Sequence, residues 1–295
     1  MQKKQVTLKN GEVYHYLETG EGQKTVCLIH GNFSSSLHYL PLIERLPKNI
    51  RVLTPDLRGF GDSTYYNAIT SLKDLADDLK LFLDALKVKS VDVIGWSLGG
   101  GVALEFAAHY PQMTNHLVLI NSASHKGYPV FKKDENGQLK MGEVYQSKAE
   151  MATDPVQVSP LLIAQKNKDF ETMSMIWSYT IYSVNKPSES DNKLWINESL
   201  KQRNLVDADW ALANLNMSDQ HNFYHQGTQN ISRIKAPTLH IWGAKDIIVP
   251  EYMVLENIEA LKDLSTYITY DDCGHSPLVD VPDQLSKDII NFIES

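Results

Sequence analysis

The sequence predicts an α/β fold, a mainly parallel sheet with helices on both faces, interrupted once by a mostly helical insertion. Three observations predict it. Over residues 1–121, short apolar runs of the kind buried on both faces of a sheet alternate with segments of helical periodicity. The same rhythm returns near Pro237 and continues to the end. Between them, residues 122–226 contain no strong buried strand and are rich in Trp, Tyr and Met. The expected division is therefore an α/β domain made of 1–121 and 227–295, with 122–226 as a helical cap.

Gln5–Lys9 and Val13–Glu18 alternate around Asn10-Gly11, a hairpin signal because Asn-Gly accepts the positive φ angles of a tight turn. Thr25–Ile29 is a continuous apolar run, followed by a helix over roughly Leu37–Leu46 and a strand at Arg51–Thr54. Ser71 is placed to cap a helix whose Leu72, Leu75, Leu79, Phe82, Leu83 and Leu86 share one face. Val91–Ile94, a helix over Val102–His109 and His116–Ile120 complete a β-α-β-α-β run, and strands joined by crossover helices run parallel. Inside the insertion, Asn136-Gly137 within the charged run Lys132–Glu143 marks a surface hairpin, and Met173–Tyr182 and Leu194–Leu200 read as helices. Strands Pro237–Trp242 and Thr266–Tyr270 flank a helix over Glu251–Leu261, and a helix over Gln284–Ile293 closes the chain. The count is eight strands, with the insertion after the sixth.

A chain of 295 residues has enough length to bury one large core. Its formal net charge of -8 argues against a nucleic-acid groove or a basic membrane-docking face. Met1–Thr7 carries a charge pair but leads into no apolar signal-like region, and no apolar stretch approaches the length of a membrane span. The two cysteines, Cys27 and Cys273, make no disulfide framework. These features point to a cytoplasmic protein whose partner is a small molecule, not a nucleic acid or a membrane span.

The chemistry is concentrated in Gly95-Trp96-Ser97-Leu98-Gly99, between the buried run Val91–Ile94 and a helix-like stretch. A Gly-x-Ser-x-Gly there reads as a nucleophile elbow, a sharp strand-to-helix turn that lifts a serine into reach of substrate. A serine hydroxyl is a poor nucleophile near neutral pH, so it needs a base and the base needs an orienting acid. Asp246, just past the strand ending at Trp242, suits the acid. His275, just past the last strand, suits the base. The order Ser97, Asp246, His275 is the one this strand-turn-helix arrangement uses. Asp271 and Asp272 are rival acids, but they share a loop with His275 and are poorly placed for its far nitrogen. His240 lies within a strand, and His221 and His225 fall in the insertion.

The chain resembles proteins of the α/β-hydrolase fold with a helical cap. Besides the elbow, His30-Gly31-Asn32-Phe33 resembles that family's oxyanion loop, and Asp56-Leu57-Arg58-Gly59-Phe60-Gly61-Asp62-Ser63 resembles the loop after its next strand. The resemblance covers essentially the whole length and is weakest in the cap, where such proteins diverge most. It implies a serine hydrolase of carboxylic esters with small to medium acyl or alcohol groups, working through an acyl-enzyme without metal or organic cofactor. It implies an oxyanion hole of two backbone N–H groups, Leu98 and a residue of the His-Gly loop, with Asn32 the better match and Phe33 the alternative. His30 becomes a structural partner of that loop. A serine at position 97 excludes the dehalogenase and epoxide-hydrolase relatives, which need a carboxylate nucleophile. Perhydrolase, lactonase and carbon–carbon bond hydrolase chemistry use the same triad and stand as alternatives, as does a hydrolase-fold ligand sensor that signals to a protein partner.

Most aromatic residues of the insertion are expected to form its own core and its seat on the sheet; Phe33, Trp177 and Tyr182 are the candidates for lining a substrate pocket. Trp96 is expected to pack. His221 and His225, four apart near Asp219, lack a third ligand or a Glu base at a recognisable spacing, so no metal site is expected. Gly99-Gly100-Gly101 lacks the residues of a phosphate-binding loop.

Overall fold

The computed structural model describes residues 2–295. Strands β1 (Lys4–Thr7), β2 (Val13–Thr19), β3 (Lys24–Ile29), β4 (Ile50–Pro55), β5 (Val91–Trp96), β6 (Thr114–Ile120), β9 (Thr238–Gly243) and β10 (Ser265–Tyr270) form one sheet in the order β1-β2-β4-β3-β5-β6-β9-β10. Strands β7 (Phe131–Lys133) and β8 (Leu139–Val144) pair separately around the Asn136-Gly137 turn. β2 is antiparallel to both β1 and β4, and every other pair in the large sheet is parallel. The eight strands expected from the sequence are all present, and the sheet is the mostly parallel one expected.

Alternation along the central strands explains why they read as continuous apolar runs. In β3, Cys27 and Ile29 join one core while Val26 and Leu28 join the other. In β6, Leu117 and Leu119 divide from Val118 and Ile120 in the same way. A strand covered on both faces has no polar side. Helices α2 (Leu72–Ala85) and α3 (Leu98–His109) close the first face. α1 (Leu40–Ile43) and the final helices α10 (Pro277–Asp280) and α11 (Pro282–Ile293) lie on the second, and α9 (Glu251–Leu261) packs beside β9 and β10.

Two helices differ from expectation for local reasons. The segment read as one helix over Leu37–Leu46 is a 3-10 turn, Ser36–Tyr39, followed by α1. Pro41 has no N–H to donate, so it sits in a first helical turn and forces the restart. Helix α3 begins at Leu98, four residues earlier than read, because the elbow feeds directly into it and its glycines pack where side chains would not fit.

Between β6 and β9 the chain leaves the sheet and forms α4 (Lys148–Met151), α5 (Ser159–Asn167), α6 (Phe170–Thr180), α7 (Glu189–Ser199) and α8 (Leu205–Ala213). Trp177, Tyr182 and Trp195 of this segment share a core with Trp96 and Tyr39, and the His38 ring stacks on Trp195 at 5.7 Å. A polar latch lies alongside. Arg203 N–H donates to Gly59 O and Asn204 Nδ2 to Arg58 O, both at 2.8 Å, so the turn before α8 is held on the loop after β4. Lys3 Nζ reaches Asp56 and Glu198 at 2.7 Å and Asp62 at 2.9 Å. Among the described residues no helix is long and apolar enough to cross a membrane.

Candidate active site

Ser97 joins β5 to α3 with φ 56 and ψ -121, backbone angles that L-residues rarely adopt. Such a conformation costs on the order of 1–3 kcal/mol and persists only where its surroundings impose it. Here Ser97 N–H donates to Ile120 O at 3.0 Å, and Gly100 N–H donates to Ser97 O at 2.9 Å. The strand and helix then close on each other with no room for side chains. A Cβ on Gly95 would lie 2.6 Å from Gly99 C, and one on Gly99 would lie 2.5 Å from His30 O while overlapping Ile29 O. The glycines are present because backbone occupies the space a side chain would need.

Asp246 and His275 are brought together from separate strand ends. His275 Nδ1 and Asp246 Oδ2 are 2.8 Å apart, and both side chains are buried. The other oxygen, Asp246 Oδ1, accepts from Ile248 N–H at 2.7 Å and Val249 N–H at 3.0 Å. These bonds fix the carboxylate and leave it acceptor-only towards the ring, so Nδ1 carries the proton and Nε2 is free to act as a base. Ser97 and His275 both line one cavity. Among the described residues Ser97 Oγ makes no hydrogen bond, and catalytic hydrogen bonds in unliganded sites are often long until substrate binds.

The rival residues have other partners. Asp272 pairs with Lys245 at 2.7 Å on the surface. His240 sits within β9, bonded through Nε2 to Ser265 Oγ at 3.1 Å, and burial pulls its pKa down to about 4. His221 and His225 lie in a bridged turn, and their ring nitrogens meet backbone carbonyls. Cys273 is buried, and desolvation raises its thiol pKa, which suits packing. Asp56, Asp62 and Glu198 converge closely enough to suggest a cation site, but Lys3 Nζ bonds to all three.

The loop after β3 separates the two oxyanion candidates. Phe33 N–H donates to Gln202 Oε1 at 2.9 Å and to Asn32 Oδ1 at 3.1 Å, so it is engaged. Among the described residues neither Asn32 N–H nor Leu98 N–H donates to a protein acceptor. His30 shapes this loop. Its Nε2 accepts from Leu57 N–H at 3.0 Å, so Nδ1 carries the proton, 2.8 Å from Gly31 O. Burial lowers the His30 pKa to about 4, which keeps the ring neutral as this pattern requires.

Sequence reading missed Asn121. It follows β6 with φ 42 and is fully buried. Its Nδ2 donates to Gly274 O at 2.8 Å and its Oδ1 accepts from Gly243 N–H at 2.9 Å. One amide thus joins the ends of β6 and β9 to the loop carrying His275, and Trp96 Nε1 adds a bond to His275 O at 2.8 Å. A lone Asn at a strand end gives no periodic signal; its place directly after the sixth strand was the only clue. Asn121→Ala leaves a buried donor and a buried acceptor unpaired, a loss of about 1–3 kcal/mol each. The variant is expected to unfold at lower urea concentration and to lose kcat through a misplaced His275. An unchanged urea midpoint would refute this role.

The cavity above Ser97 measures about 280 Å³ and includes Phe33, Trp96, Val158, Leu161, Trp177 and Val249 in its wall. Trp177 and Phe33 therefore face it, and Trp96 does too. Tyr182 does not line it: the ring packs against Trp177 with centroids 5.2 Å apart, and its hydroxyl has no protein partner. Among the residues lining this cavity there is no Lys or Arg, and Asp209 is the one carboxyl. Asp209 projects from α8, and its Oδ1 accepts from Asn32 Nδ2 at 2.8 Å. Burial pushes its pKa up to about 7, with the Asn32 hydrogen bond opposing and Asp154 adding to the rise.

That displacement has a stability consequence. A carboxyl ordinarily at 3.8 that titrates near 7 when folded binds more protons folded than unfolded across this window. Stability therefore falls as pH rises from about 4 to about 7 and stays lowered above it. Asp209→Asn removes the cost, on the order of 2–3 kcal/mol once the cavity's own solvent is allowed for. The variant is expected to melt above wild type at pH 8 and to converge with it near pH 4. Calorimetric melts across pH check this, and a gap that widens towards acid would contradict it.

Comparison with known proteins agrees with this fold. A family model described as the alpha/beta hydrolase fold matches residues 24–282. The chain is similar to a cis-3-alkyl-4-alkyloxetan-2-one decarboxylase of Shewanella oneidensis, 23% identical over 295 residues covering 97% of this chain and 86% of the relative. It is similar to lipase 1 of Psychrobacter immobilis, 27% identical over 98% of this chain and 83% of that one. It is 22% identical to a 2-hydroxy-6-oxononadienedioate/2-hydroxy-6-oxononatrienedioate hydrolase of Pseudomonas putida, over 98% of this chain and 95% of the relative. Among solved structures, an esterase of Exiguobacterium antarcticum superposes with a TM-score of 0.74 at 18% identity, covering all of both chains. At that identity the superposition speaks for the fold alone.

Proposed function

The chain belongs to the alpha/beta hydrolase fold family, and we propose that within it this protein cleaves carboxylic esters of small to medium size through an acyl-enzyme. The observation that carries the reading is the 2.8 Å bond between His275 and Asp246 beside a small, mainly apolar cavity that also exposes Ser97. Ser97 Oγ attacks the carbonyl carbon as His275 Nε2 takes its proton. The N–H groups of Asn32 and Leu98 receive the oxyanion, each worth roughly 3–4 kcal/mol in such sites. Collapse expels the alcohol, which collects the proton from His275. Water then repeats the sequence on the acyl-enzyme and frees Ser97.

The cavity's charge favours esters over carbon–carbon cleavage of the kind named for the Pseudomonas putida relative. A dioate carries two carboxylates, and such groups are ordinarily held by Arg or Lys. None lines this cavity, and Asp209 would repel them. A cyclic ester presents the same carbonyl to Ser97 and belongs to the same reading.

The test is labelling with a fluorophosphonate probe, followed by turnover of p-nitrophenyl esters of increasing chain length, of lactones and of a vinylogous diketone. Labelling at Ser97 with preference for short or medium esters is expected. A folded protein that neither labels nor turns over any of them would sink the ester reading and favour a ligand sensor. Faster cleavage of the diketone than of any ester would move the assignment to carbon–carbon chemistry.

A further inference from the structure

Asp209 has no part in the hydrolytic steps above, yet it places a carboxyl in the cavity where those steps occur. Its setting is built in detail. Phe33 N–H donates to Gln202 Oε1, which orients the Gln202 amide so that its Nε2 donates to Asn32 Oδ1 at 2.8 Å and to Asn204 Oδ1 at 3.0 Å. Asn32 must then turn its Nδ2 towards Asp209, and that amide donates to Oδ1. Three side chains and one backbone N–H thus fix one carboxylate oxygen. Oδ2 meets no protein donor among the described residues, and the residue's free side is the cavity.

A carboxylate enclosed among apolar groups is ordinarily paired with a cation, because an unpaired charge there is costly. No Lys or Arg lines the cavity to serve as that partner. The other polar wall groups do not fill the role: Tyr128 donates its hydroxyl to Ile248 O at 2.7 Å, and Gln157 and Thr180 are uncharged. His275 is committed to Asp246. With no cation in the wall, the carboxyl keeps its proton when the cavity is empty, and the counter-ion that would ionise it has to come with a ligand.

We propose that Asp209 is the specificity-determining residue for substrates that carry a protonated amine, so that the cavity selects ammonium-bearing esters over neutral ones of the same shape. Asn32 couples the two ends of such a substrate. Its backbone N–H faces the developing oxyanion in the ester mechanism, and its side chain holds the carboxyl that receives the ammonium. The charge thus sits one asparagine side chain and one hydrogen bond away from the reacting carbonyl, which places the amine on a short linker. The raised Asp209 pKa is consistent with a carboxyl that waits for its counter-ion, since a bound ammonium favours the ionised form. This inference rests on the ester reading for its catalytic consequence but not for its binding consequence.

The test pairs p-nitrophenyl esters of equal length that end either in a primary ammonium or in a methyl group. In wild type, kcat/KM for the ammonium ester is expected to exceed that for the neutral one by at least tenfold. In Asp209→Asn, which keeps an acceptor for Asn32, the ratio is expected to fall at least tenfold. Independently of turnover, calorimetric titration with n-butylammonium chloride is expected to show binding to wild type that Asp209→Asn loses, with n-butanol as the neutral control. Hydrolysis with equal rates for the two esters, or a ratio that survives Asp209→Asn, overturns this inference and leaves the ester reading standing. Ammonium binding that requires Asp209 in a protein without esterase activity supports the inference and overturns the ester reading.

Discussion

Ser97→Ala is expected to lower kcat by about 10⁵–10⁶, to the floor set by binding and the oxyanion donors alone. His275→Ala should reach the same floor, and the double variant should fall no further. On the ester reading the three side chains act as one device. Without Ser97 there is no nucleophile for His275 to activate, and without His275 the hydroxyl keeps its proton. Asp246→Asn should lose about 10⁴, because an amide that keeps the Ile248 and Val249 bonds can present N–H to the ring and stabilise the wrong tautomer. Steady-state kinetics with a short p-nitrophenyl ester check these values. A Ser97→Ala protein that retains a few per cent of activity, or a double variant many times worse than either single one, would remove Ser97 from the nucleophile's role.

Gly99→Ala is expected to abolish folding. The added Cβ would overlap Ile29 O and lie 2.5 Å from His30 O, so two backbone carbonyls at the end of β3 would have to move. These belong to a central strand whose neighbours are β4 and β5, and nothing in a packed sheet yields by that distance. A loss beyond about 4 kcal/mol is expected, in the range where a protein of ordinary stability fails. Gly101→Ala is the control. Its Cβ would meet chiefly Leu72 Cδ1 at 2.7 Å, the end of a flexible side chain, and alanine gains up to about 1 kcal/mol of helix propensity over glycine. Gly101→Ala should fold, while Gly99→Ala should give little or no soluble protein. Far-UV circular dichroism and urea unfolding decide it, and a Gly99→Ala midpoint near that of wild type would disprove the packing argument.

Strands and elbow were legible because each has a short-range signature. Residues such as Cys27, Leu28 and Ile29 are apolar in sequence because both faces of β3 are covered, and the glycines around Ser97 mark a strand and helix in contact. Asp246 and His275 were readable from their places after strands, since chemistry in such sheets gathers at the carboxyl ends. Helix α8 was not read, although Leu205–Ala213 consists largely of good helix formers. Asp209 was missed with it. Tyr182 was named with Trp177 from the insertion's aromatic residues, but it packs against Trp177 and is not among the residues lining the cavity. Nothing in the spacing of aromatic residues says which ring lines it.

By itself the sequence determined the fold class, the strand order's raw material and the serine, acid and base that the ester reading uses. Those depend on patterns within ten or so residues, where side-chain periodicity and turn chemistry act directly on the backbone. Only the tertiary structure decided the rest. It engaged Phe33 N–H with Gln202, 169 residues away, and so distinguished it from Asn32 N–H. It set Asn121 between two strand ends and the His275 loop. It also carried Asp209 across 177 residues to Asn32 and left the cavity around it without a cation. Such relations have no sequence period, because they arise where segments distant along the chain meet, and the energy of a buried polar group depends on whatever partner arrives.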